Sequence, residues 1–514
     1  MLGLIMEIRK GISKAEKIED LAKRRGIFWP GSELYGGLSG IYDYGHIGAA
    51  LKRRWEAQWR NWFLSEDNFY EMDPAQIMHE SVWIASGHAA NFVDPTAKCT
   101  KCGAFNRADH IMEEYLHESF EGLTPQQLTE IIRKHNIRCP ACKGALADVS
   151  VLNMMFPLSV GSEATKAYLR PETAQGVYVN FKRLFEYGRK ALPVGVAAIG
   201  KAFRNEISPR QMLIRMREFT QAELQIFFDP NEIENHQNFE DVATYVLHLH
   251  SVADRQSGKV VEVSCADAVQ KLKLPKFYVY HMAKIQKFYL EKLGAPKERF
   301  RFRELSAEER AFYNRLHWDI ELDIESLGGF KEVGGLHYRT DHDLGNHAKL
   351  AKQNLSVTIG DRSFVPHVLE LSFGVDRNVF SMLDLAYSEE ADRIVLRFPR
   401  MLAPYDCAIF PLLGKDGLPE RARQVLQTLR NLGFNVFYDD SGSVGRRYRR
   451  ADEVGIAACI TIDHQTLEDS TVTIRDRDSM QQVRIHASDL PDKLRRFLAG
   501  EPVGSIGTPI KKTE

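Results

Sequence analysis

Val194-Gly-Val-Ala-Ala-Ile-Gly-Lys-Ala-Phe-Arg-Asn205 and, after a proline-containing loop, Phe219-Thr-Gln-Ala-Glu-Leu-Gln-Ile-Phe-Phe228 carry the pattern that decides the fold. Successive side chains of a strand point to opposite faces. In the second stretch Phe219, Gln221, Glu223 and Gln225 therefore share one face, and Ala222, Leu224, Ile226 and Phe228 share the other. One face suits a core and the other suits chemistry. Arg204 and Glu206 likewise share a face. The loop Ile207-Ser-Pro-Arg-Gln-Met-Leu-Ile-Arg-Met-Arg217 supplies Arg210, Arg215 and Arg217, and guanidinium groups bind phosphate oxygens in forked pairs. The segment fits a polyphosphate such as ATP, with a hairpin carrying a solvated basic loop as the alternative. A third strand, His367-Val-Leu-Glu-Leu-Ser-Phe373, sends Glu370 and Ser372 one way and Leu369, Leu371 and Phe373 the other. Gly374-Val-Asp-Arg377 then opens a helix-like run, and a cation in a first helical turn opposes the macrodipole, so a ligand explains Arg377 better than stability does.

Upstream, Leu51, Trp55, Trp59, Trp62 and Phe63 recur at helical spacing with Lys52, Arg53, Arg54 and Arg60 on other faces. This stripe packs either on its own core or on a second subunit, where aromatics are enriched. Downstream, Phe398-Pro-Arg400 and Ala403-Pro404 mark a seam near residue 400. Strand patterns at 408–412, 435–438 and 456–462 alternate with a helical pattern at 419–432, a βαβ-type unit with a parallel or mixed sheet. The turn-rich stretch 500–509 reads as a loose tail. Residues 231–309 read as a helix-rich insertion.

The chain has 514 residues, 44% hydrophobic, 10% aromatic and 27% charged, which predicts two to four domains and excludes collagenous, low-complexity or wholly disordered chains. Its longest nearly uncharged apolar run, 191–200, is half of a bilayer span, and Glu7 and Arg9 interrupt the apolar start, so no membrane or secretory segment is expected. Lys and Arg number 68 against 69 Asp and Glu, net −1, so nucleic acid must be met by local basic surface. Seven cysteines are too few for a disulfide scaffold and favour a reducing, cytoplasmic setting. Four of them form the pairs Cys99-x-x-Cys102 and Cys139-x-x-Cys142, flanked by Lys98, Lys101 and Lys143 and followed by Gly103 and Gly144. Such turns suit tetrahedral zinc, although the intervening loop is longer than the usual ribbon; reduced unligated thiols and disulfides are the alternatives. A zinc with four protein ligands would be structural.

Phe203-Arg-Asn-Glu206 with the loop to Arg217-Glu-Phe219, and Gly374-Val-Asp-Arg377 after a strand, resemble motifs 2 and 3 of class II aminoacyl-tRNA synthetases; Asp43-Tyr-Gly with the tryptophan helix resembles motif 1. Leu169-Arg-Pro-Glu-Thr-Ala-Gln-Gly176, Arg204-Asn-Glu-Ile-Ser-Pro-Arg210 and Arg217-Glu-Phe-Thr-Gln-Ala-Glu223 are similar to the dimeric glycyl-tRNA synthetases, and the resemblance runs from about residue 21 to 499. Two positions depart from the family pattern, His46 and Leu371, both in place of proline. The resemblance implies an α+β fold. A class II catalytic domain with an antiparallel sheet, 1–400, would carry a Cys-rich insertion at 97–147 and a helical insertion at 231–310. A C-terminal α/β anticodon-binding domain would follow at 401–499, then a flexible tail at 500–514.

It also implies glycine, ATP with Mg²⁺ and tRNA(Gly) as substrates, a homodimer, and catalysis by Arg204 on the ATP α-phosphate and Arg377 on the outer phosphates. Phe219 would stack on adenine, with Asn205, Glu206, Ile214, Arg215, Met216, Arg217, Glu332, Val333 and Gly374 completing the nucleotide site. Glu172, Glu223 and Glu370 would surround the glycine ammonium, with Ser372 and Arg107 facing the amino acid; structural zinc at Cys99, Cys102, Cys139 and Cys142 would position Arg107. The basic segment 439–455, with four arginines around Tyr448, is a solvated charge run by itself and a tRNA-binding surface by resemblance. A non-catalytic, nucleic-acid-binding relative would have lost the motif arginines and pocket carboxylates, and all are present. A synthetase for another amino acid of the same subclass is the remaining alternative.

Overall fold

The two quoted strands pair antiparallel, with Ala198 opposite Glu223 and Ala202 opposite Phe219. They belong to a central sheet of β1 (Phe69–Met72), β2 (Val194–Phe203), β3 (Glu218–Phe228), β4 (Val246–His250), β5 (Val261–Ser264), β6 (Phe300–Glu304), β7 (Leu316–Ile324), β8 (Gly329–Thr340) and β9 (His367–Gly374). Its order is β5-β4-β6-β7-β8-β9-β3-β2-β1. Only the pairs β1 with β2 and β4 with β6 are parallel. This computed structural model describes residues 12–510 other than 67, 68, 117, 119, 121, 122 and 312.

The apolar face of β3 behaves as its alternation dictates: Ala222, Leu224, Ile226 and Phe228 join the main core. Against that face lies the tryptophan helix, His46–Phe63. Trp55 and Trp59 are buried there, with ring centroids 6.3 Å and 5.8 Å from Phe373, and the Trp62 indole N–H donates to the Lys284 carbonyl at 3.0 Å. Of the two readings of the stripe, packing on its own core is what the chain does. His46 occupies the first helical turn position after the Gly45 cap, where proline is favoured for its fixed φ but any residue can start the helix. Leu371 sits opposite both Leu224 and Leu336. A central strand hydrogen-bonds on both edges, so leucine with its N–H completes a ladder that proline would interrupt.

Three expectations need correction. Residues 231–310 are not simply a helical insertion: besides the helix Lys276–Lys287 they supply β4, β5 and β6, one whole edge of the central sheet. These strands are only four or five residues long, too short for alternation to stand out between helical patterns. Secondly, residues 500–510 are not loose. Val503 and Ile506 are buried in the C-terminal core, and Thr508–Pro509 pairs with Gln482–His486. Two apolar anchors outweigh the glycines and prolines around them; residues 511–514 lie outside the described residues. The third concerns Arg107 and is taken up with the site.

The Cys-rich insertion has its own three-stranded sheet, Val93–Lys98 between Phe105–Arg107 and Ser150–Asn153, and a small core under the helices Ala108–Leu116 and Pro125–Lys134. Beyond residue 400, six strands form a mixed sheet. Val436–Tyr438, Cys407–Pro411 and Ala458–Ile462 run parallel, then Thr471–Asp476, Gln482–His486 and Thr508–Pro509 antiparallel. A buried ionic junction ties this unit to the segment before it. Asp452 accepts from Arg393 at 3.0 Å and from Arg475 at 2.9 Å and 3.1 Å, while Arg477 donates to the carbonyls of Gly455 and Phe398.

Candidate active site

The polar faces of β3, β9 and β8 lie side by side, and register places Glu223, Ser372 and Gly335 in one row and Gln225, Glu370 and His337 in the next. These rows floor a cleft whose walls come from the loop before β3, from Glu172 and from the start of the helix Val375–Ala386.

At its deep end three carboxylates converge. Glu223 accepts from the Thr173 hydroxyl at 2.7 Å and the Ser372 hydroxyl at 2.9 Å. Glu370 accepts from Gln225 at 2.7 Å and Arg339 at 2.8 Å. Glu172 accepts from Gln175 at 2.9 Å, lies 3.2 Å from the His88 ring and 3.7 Å from Arg339. Burial, then the neighbouring charges of Glu370 and Glu172, push Glu223 up from about 4.5 to about 7. Glu370 is also raised, by burial first, although Arg339 pulls the other way. At Glu172 burial is the largest influence and would raise the carboxyl, but His88 and Arg339 together outweigh it and hold it well below the usual range. Glu223 is hydrogen-bonded only by hydroxyls and forms no salt bridge; the buried Arg170 feels its charge but donates to the carbonyls of Lys201 and Pro74.

At the outer end Arg204 donates to the Pro171 carbonyl at 3.1 Å and lies 5.2 Å from the Phe219 ring centroid and 5.3 Å from that of Phe92. Arg215 pairs with Glu206 at 3.0 Å. Arg377 donates to the Ile214 carbonyl at 2.9 Å and pairs with Glu332 at 2.9 Å. Ile214, Met216 and Gly374 line the same space. Aromatic ring, guanidiniums and carboxylates in this order suit a nucleotide triphosphate approaching the carboxylate end.

Other expected residues stand elsewhere. Asn205 enters through its backbone N–H, which donates to Met154, and Val333 through its carbonyl, which accepts from Asn378. Arg217 turns away to the carbonyls of Glu206 and Ser39, each at 3.0 Å, fastening the loop and not lining the cleft. Arg107 is the third correction: it is not at the amino-acid pocket. Asp109 at 2.8 Å and Asp94 at 3.4 Å claim it within the insertion, and Glu206 of the cleft also raises its pKa. In the basic segment 439–455 most arginines have partners within the protein. Arg447 is buried against the carbonyls of Asp440 and Gly442, Arg450 pairs with Asp439 at 2.6 Å, and Arg449 pairs with Asp392. Tyr448 lies under Arg475 with its hydroxyl 2.6 Å from Thr461. Arg446 stays exposed.

Sequence reading missed Arg339, which organises the deep end. It donates to Asp343 at 2.8 Å and 3.1 Å and to Glu370, and stacks 4.2 Å from the Tyr313 centroid. Its signal was available: an arginine at the end of Val333-Gly-Gly-Leu-His-Tyr-Arg339, a run with no other permanently charged residue. Asp376 was also missed; it accepts from the Tyr44 hydroxyl at 2.7 Å and lies 3.5 Å from Lys52, joining the Asp43-Tyr-Gly stretch to the cleft.

The four cysteines come together. Their sulfurs all lie within 4.8 Å of one another, with Cys99 and Cys142 3.5 Å apart and Cys102 and Cys139 3.8 Å apart. A tetrahedron with Zn–S of about 2.3 Å has edges of about 3.8 Å, so the donor set fits zinc, whereas a disulfide needs about 2.05 Å. The Cys102 backbone N–H faces the Cys99 sulfur at 3.5 Å, which favours its thiolate.

Residues 159–384 match the tRNA synthetase class II core domain (G, H, P, S and T), and residues 406–497 match the anticodon binding domain. Over 95% of this chain and 99% of its own length, a glycine–tRNA ligase of Pyrococcus furiosus is 40% identical. Those of Aeropyrum pernix and Methanothrix thermoacetophila are 39% and 38% identical over 96% and 97% of the chain, and 99% and 100% of their own lengths. The chain belongs to the glycine–tRNA ligase family. Its class II core match spans every cleft residue from Glu172 to Arg377, while the cysteines lie before it. The family's anticodon-binding match covers the mixed C-terminal sheet from Cys407 to His486.

Proposed function

We propose that this enzyme joins glycine to ATP in the cleft and transfers the glycyl group to tRNA(Gly). The observation that carries the reading is Glu223: a buried carboxylate with no salt-bridge partner, beside Glu370 and Glu172 and opening toward Arg204 and Phe219. Glycine has no side chain, so its ammonium must supply most of its polar recognition, and several acceptors can take its three N–H donors. With the ammonium among Glu172, Glu223 and Glu370 and near Ser372, the substrate carboxylate faces the nucleotide end. Phe219 stacks on adenine, Arg204 holds the α-phosphate and Arg377 the outer phosphates, with Glu206, Arg215 and Glu332 setting the guanidiniums. Mg²⁺ enters with ATP and shares its phosphate charge.

A glycine carboxylate oxygen attacks the α-phosphorus, the bond to the β-phosphate oxygen breaks, and pyrophosphate leaves glycyl-adenylate. The terminal ribose hydroxyl of tRNA then takes the glycyl group. Little covalent chemistry falls to the protein; positioning and electrostatic stabilisation supply the acceleration. Glycine-dependent exchange of pyrophosphate into ATP, run against a panel of amino acids, tests this. Exchange with glycine is the expected result, and exchange with another amino acid in its place overturns it.

Three finer features belong to the same reading. Zinc at the four cysteines holds the two turns of the insertion together, and with four protein ligands it leaves no open position for substrate. The protein works as a homodimer, a reading supported by Leu34, Tyr35 and Leu38, which expose 87%, 88% and 57% of their surface on one loop. It works in the cytoplasm, consistent with reduced cysteines; no helix among the described residues is long and apolar enough to cross a membrane.

A further inference from the structure

The deep end of the cleft holds several hydrogen-bond donors, and most are spent on protein. The hydroxyls of Thr173 and Ser372 both go to Glu223. The amide of Gln175 goes to Glu172 and Asp343, and that of Gln225 to Glu370. Arg339 gives its nitrogens to Asp343 and Glu370. What is satisfied is the ammonium half of an amino acid, by carboxylates; its carboxyl half still needs a donor.

His337 lines this space and stands opposite Glu370 across the sheet. Its Nδ1 lies 3.1 Å from the amide nitrogen of Asn314, a buried residue whose amide also faces His317 Nδ1 at 3.4 Å; with that amide donating to both rings, Nδ1 accepts and the ring proton sits on Nε2. The ring lies against His317, with centroids 4.0 Å apart and planes tilted by 46°, which limits its rotation. Gly335, opposite Ser372, leaves room for it. A Cβ there would come within 2.6 Å of His337 Nε2, so the imidazole edge overhangs the position beside Ser372 that a side chain would otherwise fill. Burial, followed by the charges of His317 and Arg339, holds the ring well below its usual pKa, so it stays neutral with one N–H.

We propose that His337 is a further substrate-binding and catalytic residue, its Nε2–H donating to the carbonyl oxygen of the glycyl group. This rests on the synthetase reading above and deepens it. In the adenylate that oxygen lies one carbon beyond the α-carbon, next to the ammonium among the carboxylates, on the side of Gly335. In the transfer step the ribose oxygen adds to the carbonyl carbon and the C=O π pair moves onto the oxygen facing His337. Collapse re-forms C=O and breaks the bond to the AMP phosphate oxygen, and the hydroxyl proton leaves on that phosphate. A donor to this oxygen is worth more as negative charge develops there, so it favours the transition state over the ground state.

Two non-reacting adenylate analogues separate this role from a structural one: glycylsulfamoyl adenosine, which keeps the carbonyl, and glycinol adenylate, in which CH₂ replaces it. His337→Ala should weaken the first about tenfold and leave the second within about twofold. His337→Gln, which keeps an N–H near the Nε2 position, should recover most of the loss, and His337→Phe, which keeps the ring volume, should not. Unchanged glycinol adenylate binding also shows that each variant has a folded cleft. Equal weakening of both analogues in His337→Ala and His337→Phe, or none for the glycyl analogue, would overturn the proposal alone. Wild-type protein that binds neither analogue would overturn the synthetase reading and this role with it.

Discussion

Replacing Glu223 by glutamine should make the protein more stable and nearly inactive. The carboxyl is raised from about 4.5 to about 7 by burial and by Glu370 and Glu172. A carboxyl whose folded pKa lies above its unfolded one holds its proton more tightly when folded, so its contribution is most favourable at low pH and falls as pH rises from about 4.5 through about 7. By linkage the ionised Glu223 costs about 3 kcal/mol at pH 8 and about 1 kcal/mol at pH 5. Glutamine has nearly the same shape, can accept from one of the hydroxyls of Thr173 and Ser372 and donate to the other, and carries no charge. For a chain of this size about 3 kcal/mol corresponds to a melting rise of roughly 3 °C at pH 8. The same variant should lose roughly 10–100-fold in kcat/KM for glycine-dependent pyrophosphate exchange, since a neutral amide cannot balance an ammonium. Thermal melts of both proteins at pH 5 and pH 8, without ligand, provide the assay. A variant less stable than wild type at pH 8, or a gain equal at the two pH values, would refute the claim that Glu223 is a carboxylate held in waiting for a cation.

Arg204→Ala should abolish pyrophosphate exchange while leaving the melting temperature within a few degrees, because its guanidinium spans a cleft and not a core; near-normal exchange would remove it from the α-phosphate. Asp452→Ala should destabilise the protein by about 3–5 kcal/mol, since it takes the carboxylate from Arg475 in a buried junction, while Arg393 keeps Glu390; the urea midpoint measures this, and a change under about 1 kcal/mol would show the junction to be solvated. Protein purified without chelator should carry about one zinc per chain, lost in the double variant Cys139→Ser, Cys142→Ser; metal-free wild-type protein with four titrating thiols in this region would rule the site out.

Why some of this was legible in sequence and some was not follows from how far apart the partners lie. The chemical face of β3 could be read from the chain alone because period-2 alternation is local: knowing that Leu224 is inward fixes Glu223 and Gln225 as outward. The same locality gave Glu370 beside Ser372 and the pairing of cysteines into turns. Register between strands is not local, so the row Gln225–Glu370–His337 and the gap at Gly335 emerge only when β3, β9 and β8 are side by side. Arg339 shows the difference most sharply. Nothing near it in sequence but Asp343 explains its burial; Glu370, 31 positions on, and Tyr313, 26 positions back, complete its surroundings. The arginines around Tyr448 show the same limit from the other side. Read alone they look like unclaimed charge, yet Asp392 and Asp439 claim Arg449 and Arg450, and Arg475 covers Tyr448. A run of like charge is evidence for a ligand only after its possible internal partners are counted; on that test the cleft guanidiniums of Arg204 and Arg377, held by carbonyls and one half-exposed carboxylate, keep the phosphate role proposed for them.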